Sequence, residues 1–67
     1  MIELSINGKQ QQFTGPLTVT QLVYQLALVG KRVAIELNGE IVPRSQFDQT
    51  PLCHGDQLEI VVAVGGG

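Results

Sequence analysis

The sequence predicts an α+β fold in which a mixed sheet of four to five strands packs on one helix. Apolar residues alternate with a period of two in three stretches, 2–6, 33–37 and 58–64, and one stripe with a period of 3.6 residues lies between the first two. A length of 67 residues allows a single two-layer domain and leaves no room for a cleft walled by a second core. The domain is expected to occupy residues 1–64, with 65–67 as a flexible C-terminal glycine tail.

Ile2, Leu4 and Ile6 share one face of the first strand, with Glu3 and Ser5 on the other. Asn7-Gly8 then supplies the dipeptide a type I′ turn prefers, since both central residues need φ > 0, and Lys9 to Phe13 return as a polar edge strand rich in glutamine. Thr14-Gly15-Pro16 breaks the sheet. Thr18 with Gln21 reads as a capping box, and Leu17 and Leu22 stand at the positions of a hydrophobic staple. Val19, Leu22, Val23, Leu26 and Val29 form the apolar stripe, and Gly30 is placed to close a helix over 19–29. Val33, Ile35 and Leu37 resume the strand period, Asn38-Gly39 offers a second hairpin turn, and Glu40 to Val42 return as a short strand ended by Pro43. Residues 44–56 hold no sustained period and read as a long connection with one helical turn near Ser45 to Asp48. The final strand, with Leu58, Ile60, Val62 and Val64 on one face and Val61 and Ala63 on the other, is apolar on both sides and belongs in mid-sheet. This order of elements is the β-grasp, or ubiquitin-like, arrangement.

Composition excludes several classes of function. No run approaches the ~20 apolar residues of a membrane span, so no membrane partner is expected. Met1 leads straight into strand alternation without a signal or transit pattern, and a cytoplasmic location follows by default. The net charge is −2, and Lys9, Lys31, Arg32 and Arg44 form no stripe along the chain, which argues against nucleic acid. A single cysteine, Cys53, excludes an intramolecular disulfide and a zinc site of paired thiolates, so no metal is expected.

Catalytic residues are not evident. Cys53 and His54 are a nucleophile and a base in name, yet adjacent residues in a loop project in divergent directions and no third group orients the imidazole. They read as an ordinary loop thiol and a solvated histidine. The carboxylates occur singly, and Gly65-Gly66-Gly67 lacks the following helix and lysine of a phosphate cradle. That tail is still the most informative feature. Three residues without side chains continue a central strand for at most ~10 Å, enough to thread a channel in a partner that any Cβ would obstruct. A linker remnant or frayed end would have the same composition.

The block Ile35-Glu-Leu-Asn-Gly-Glu-Ile-Val-Pro-Arg44-Ser45, then Gly55-Asp56-Gln-Leu-Glu-Ile60, then the terminal diglycine, resembles the ThiS family, the sulfur carriers of thiamine biosynthesis within the MoaD/ThiS superfamily. The resemblance runs the whole chain. It implies a carrier and not an enzyme. Its terminal carboxylate, here on Gly67, is adenylated by an E1-like, ThiF-like adenylyltransferase and converted to a thiocarboxylate. The sulfur then passes to thiazole synthase, the ThiG-like partner. Gly65 and Gly66 would thread into the partner, and ATP and magnesium would be used by the activating enzyme, with no cofactor bound to the chain. Two alternatives share the tail: the small subunit of molybdopterin synthase, which the short length and the Pro43-Arg44 block disfavour, and a ubiquitin-like protein modifier. A plain interaction domain, in which the glycines are incidental, is a third.

Overall fold

The computed structural model describes residues 1–63. Strands β1 (Ile2–Ile6) and β2 (Lys9–Phe13) form the first hairpin, and the two-residue β3 (Leu17–Thr18) leads into helix α1 (Val19–Gln25). Strands β4 (Val33–Leu37) and β5 (Glu40–Val42) make the second hairpin. A 3₁₀ helix (Arg44–Gln49), the two-residue β6 (Pro51–Leu52) and the long β7 (Gln57–Val62) complete the chain.

The main sheet has five strands in the order β2-β1-β7-β4-β5, so β7 is central, as its apolarity on both faces predicts. β7 runs parallel to β1 through Ser5↔Gln57 and Ile6↔Leu58, and antiparallel to β4 from Val33↔Val62 to Leu37↔Leu58, which makes the sheet mixed. One face packs on α1. Leu4, Ile6, Ile35, Leu58 and Ile60 meet Val19 and Leu22 of the helix in a single core that Phe13, Phe47 and Leu52 close. Phe47 reaches it from the middle of the 3₁₀ helix, a buried side chain in a stretch whose sequence shows no period.

Both hairpin turns have the expected geometry, with φ of 52° and 84° at Asn7-Gly8 and 51° and 88° at Asn38-Gly39. The start of the helix also follows the sequence. Gln21 N–H donates to Thr18 Oγ1 at 3.3 Å, and Thr18 N–H donates to Gln21 Oε1 at 2.7 Å, which closes the capping box. Val19 N–H, one of the helix's orphan donors, finds the Thr50 carbonyl at 3.0 Å.

The end of the helix departs from the sequence reading. α1 stops at Gln25, Leu26 is the C-cap, and Ala27, not Gly30, takes the left-handed conformation at φ 60°. Leu28 N–H donates to the Val23 carbonyl at 3.0 Å and Ala27 N–H to the Tyr24 carbonyl at 3.1 Å, the two bonds of a Schellman motif. The chain therefore reverses early enough to reach β4, and Leu28 packs against the core in place of Val29, which is 54% exposed. Gly30 serves the next turn, at φ 85°, where Lys31 N–H donates to the Leu28 carbonyl. An alanine held left-handed stores strain that glycine does not. Ala27→Gly is expected to stabilise the fold by about 0.5–1 kcal/mol, the relief outweighing the added entropy of the unfolded chain, as measured by urea denaturation. A loss of stability would contradict the strain.

A second departure is the small sheet formed by β3 and β6, paired at Leu17↔Leu52 and Thr18↔Pro51. Neither strand is long enough to show alternation, and the stretch 44–56 is accordingly more structured than its composition implies.

Candidate functional site

The residues that the sequence marks as functional, Gly65, Gly66 and Gly67, lie outside the described residues together with Val64, as does the division between domain and tail at 64/65. What the structure describes is the base from which they continue. β7 is held along both edges by β1 and β4, and Ala63, the last described residue, donates its N–H to the Arg32 carbonyl at 2.9 Å. On the β1 side the register ends at Ile6, and the Asn7 side chain takes over the ladder. Its Nδ2 donates to the Ile60 carbonyl at 3.0 Å and its Oδ1 accepts from Ile60 N–H at 2.8 Å, while Asn7 N–H donates to the Leu58 carbonyl. An asparagine amide presents one donor and one acceptor side by side, so it imitates a strand residue. A hairpin residue thus anchors the strand that leads to the tail.

The second hairpin does the same at the other end of β7. Asn38 Oδ1 accepts from Gln57 N–H at 2.9 Å and its Nδ2 donates to Asp56 Oδ1 at 3.1 Å. Asp56 Oδ2 in turn accepts from Cys53 N–H at 2.8 Å, so Asp56 fixes the turn into β7 in keeping with its reading as turn chemistry.

Cys53 and His54 belong to that same far end. The thiol is exposed and the described residues contain no cluster of three or more His, Cys, Asp and Glu side chains able to hold a metal. His54 is exposed, as read from the sequence, and its Nδ1 also accepts from Glu3 N–H at 3.0 Å, while Gly55 N–H donates to the Glu3 carbonyl at 2.8 Å. These bonds extend the edge of β1 where β7 has not yet begun, and they commit the imidazole to a structural role. From Gln57 to Ala63 the strand climbs six residues at ~3.3 Å each, so about 20 Å separates Cys53 and His54 from the base of the tail.

The face of the sheet turned away from α1 is open. Ala34, Ile41, Val61 and Ala63 are exposed there, Ile41 at 72% and Val61 at 63%, around the directly opposed carboxylates Glu36 and Glu59. Apolarity on both faces of β7 therefore reflects a central strand with one face buried and the other left free next to the tail.

The sequence model of the ThiS family matches residues 4–67, a span that begins in β1 and runs through the terminal glycines. The chain belongs to the ThiS family. This ThiS-family chain is 37% identical over 67 residues to the sulfur carrier protein ThiS of Bacillus subtilis, covering 96% of this chain and 98% of that one. It superposes with a TM-score of 0.83 and 38% identity on the crystal structure of the thiamine biosynthesis protein ThiS from Geobacter metallireducens, over 98% of this chain and 100% of that one. It is also 42% identical over 66 residues to a thiazole synthase of Paramagnetospirillum magneticum, of which it spans only 20%. The ThiS family is one of small sulfur carriers, and the β-grasp fold expected from the element order is the fold shared with the Geobacter protein.

Proposed function

We propose that the chain carries sulfur on the carbonyl carbon of Gly67 and delivers it for formation of the thiazole of thiamine. The observation that carries this reading is the family match that continues through Gly65, Gly66 and Gly67. The chemistry is consistent with it. A terminal carboxylate is ionised near neutral pH and is a poor electrophile until one oxygen becomes part of a leaving group. Adenylation does this: the carboxylate oxygen attacks the α-phosphorus of ATP, pyrophosphate leaves, and a sulfur nucleophile then displaces AMP from the acyl carbon. An E1-like, ThiF-like adenylyltransferase supplies the ATP and magnesium site, and a ThiG-like thiazole synthase receives the thiocarboxylate. The carrier itself contributes presentation of the terminus and docking surface, including Val61, Ala63 and the exposed sheet face. A cytoplasmic location accompanies this reading; no helix among the described residues is long and apolar enough to cross a membrane.

Similarity to ThiS proteins along the full chain favours this pathway over the small subunit of molybdopterin synthase. The test is the intact mass of the chain after incubation with the cognate adenylyltransferase, ATP and a sulfur donor. A shift equal to exchange of one oxygen for sulfur supports the carrier; conjugation to another protein supports a modifier; no change removes both. Cys53→Ser is expected to leave this mass shift intact, because the sulfur is expected on the terminal carbon and the exposed thiol sits at the end of β7 opposite Ala63. Loss of thiocarboxylate in a folded Cys53→Ser protein would bring the thiol into the mechanism.

A further inference from the structure

Lys31 and Arg32 are neighbours in the chain and Arg44 stands twelve positions further on. Lys31, Arg32 and Arg44, three of the four Lys and Arg side chains, line one groove of about 490 Å³ between the C-terminal end of α1 and the 3₁₀ helix. Among the described residues no Asp or Glu lines it, although the Asp48 carboxylate accepts from the hydroxyl of Thr20 on its wall and the chain as a whole carries a net charge of −2. Apart from Thr20, its remaining wall is mostly apolar and includes Tyr24, 65% exposed, and Val29, 54% exposed, the residue the early helix stop leaves outside the core. The groove also adjoins Ala63, the last described residue, since the Arg32 carbonyl accepts from the N–H of Ala63.

We infer that this groove is a docking site for an acidic segment, carrying an apolar side chain, of a protein that receives the tail. The inference rests on the proposed carrier function for the identity of that protein, but its chemistry comes from the groove. Guanidinium groups pair bidentately with carboxylates, and Tyr and Arg together are the side chains that anchor protein interfaces. A positive locus on an otherwise acidic chain steers an acidic surface toward itself and repels it elsewhere. Because the groove borders Ala63, a segment seated in it would hold the partner's body against the domain at the point from which the chain continues to Gly67. It lies on the helix side of the sheet edge, separate from the open outer face.

The test compares wild type, the triple variant Lys31→Gln/Arg32→Gln/Arg44→Gln, and Tyr24→Ser, with Lys9→Gln on edge strand β2 as control. Binding to the cognate adenylyltransferase and to the cognate thiazole synthase is measured by calorimetry at low and high salt, after thermal melts establish that each variant is folded. The triple variant is expected to weaken at least one of the two complexes tenfold or more and to flatten its salt dependence, Tyr24→Ser to weaken the same complex with its salt dependence kept, and Lys9→Gln to change neither. Unchanged affinity of the triple variant for both enzymes overturns the inference. Amide shifts at Lys31, Arg32 and Arg44 on adding ATP or inorganic phosphate, with protein affinities unaltered, also overturn it and make the groove a small-anion site. If wild type acquires no thiocarboxylate in the same preparations, the carrier reading fails and the occupant with it; if wild type is sulfurated and the triple variant binds normally, only the groove inference fails.

Discussion

Replacing Asn7 with alanine is expected to destabilise the domain by about 2–3 kcal/mol. Two side-chain hydrogen bonds to the Ile60 backbone disappear, each worth roughly 0.5–1.5 kcal/mol net, and alanine tolerates the left-handed φ of 52° less well than asparagine does. A domain of this size has a total stability of roughly 3–10 kcal/mol, so the loss is a large fraction of it and corresponds to a fall in Tm of about 10–20 °C. Asn7→Asp separates the two causes. Aspartate keeps the tolerance for φ > 0 and the acceptor for Ile60 N–H, but it presents an oxygen, not a donor, to the Ile60 carbonyl. Its expected loss is smaller than that of alanine yet still measurable. Hydrogen exchange carries the consequence toward function: amides from Ile60 to Ala63 are expected to exchange faster in Asn7→Ala, since the β1 side of β7 then loses its last tie before the tail. An alanine variant within 0.5 kcal/mol of wild type would show that the asparagine bridge does not hold the strand.

Appending one alanine after Gly67 is expected to abolish adenylation while leaving the fold and the docking affinity nearly unchanged. The addition moves the carboxylate by ~3.5 Å and introduces a Cβ where the tail has none, and in-line attack on a phosphorus requires reacting atoms placed within a fraction of that distance. The described residues are untouched, so the melting temperature is expected to match wild type. Under the proposed carrier function, binding to the adenylyltransferase is expected to persist, because fixing a residue costs about 1–2 kcal/mol and a glycine tail offers no side chains to offset it, which leaves the docking energy to the domain surface. Near-normal sulfuration of the extended chain, read by intact mass, would remove the main support for Gly67 as the reacting residue.

The two expectations concern features of different legibility. A terminal diglycine after an apolar strand can be read directly, and the family match runs through it. The Asn7 bridge cannot. Asn-Gly announces a type I′ turn because the rule concerns the φ of two adjacent residues, but the bond from Asn7 to Ile60 spans 53 positions, and no local pattern encodes its partner. The Glu3–His54 bond, across 51 positions, is invisible for the same reason, although the exposure of His54 follows the sequence reading.

Side-chain period and the backbone preferences of neighbouring residues suffice to place the strands β1, β2, β4, β5 and β7, both hairpin turns, the capped start of α1 and the central position of β7. Contacts between distant segments set where α1 ends, that β3 and β6 pair, that Phe47 enters the core, and that Arg44 lines the same groove as Lys31 and Arg32. At the helix end a local signal, the apolar stripe continuing to Val29 and Gly30, competes with the need to return the chain to β4; the core accepts Leu28 and the strain falls on Ala27. β3 and β6 are too short for a period to register, and Arg44 shares a groove with Lys31 and Arg32 because the 3₁₀ helix packs beside α1. Each of these is set by contacts between segments distant in the chain, whose free energies outweigh local propensities of a few tenths of a kcal/mol.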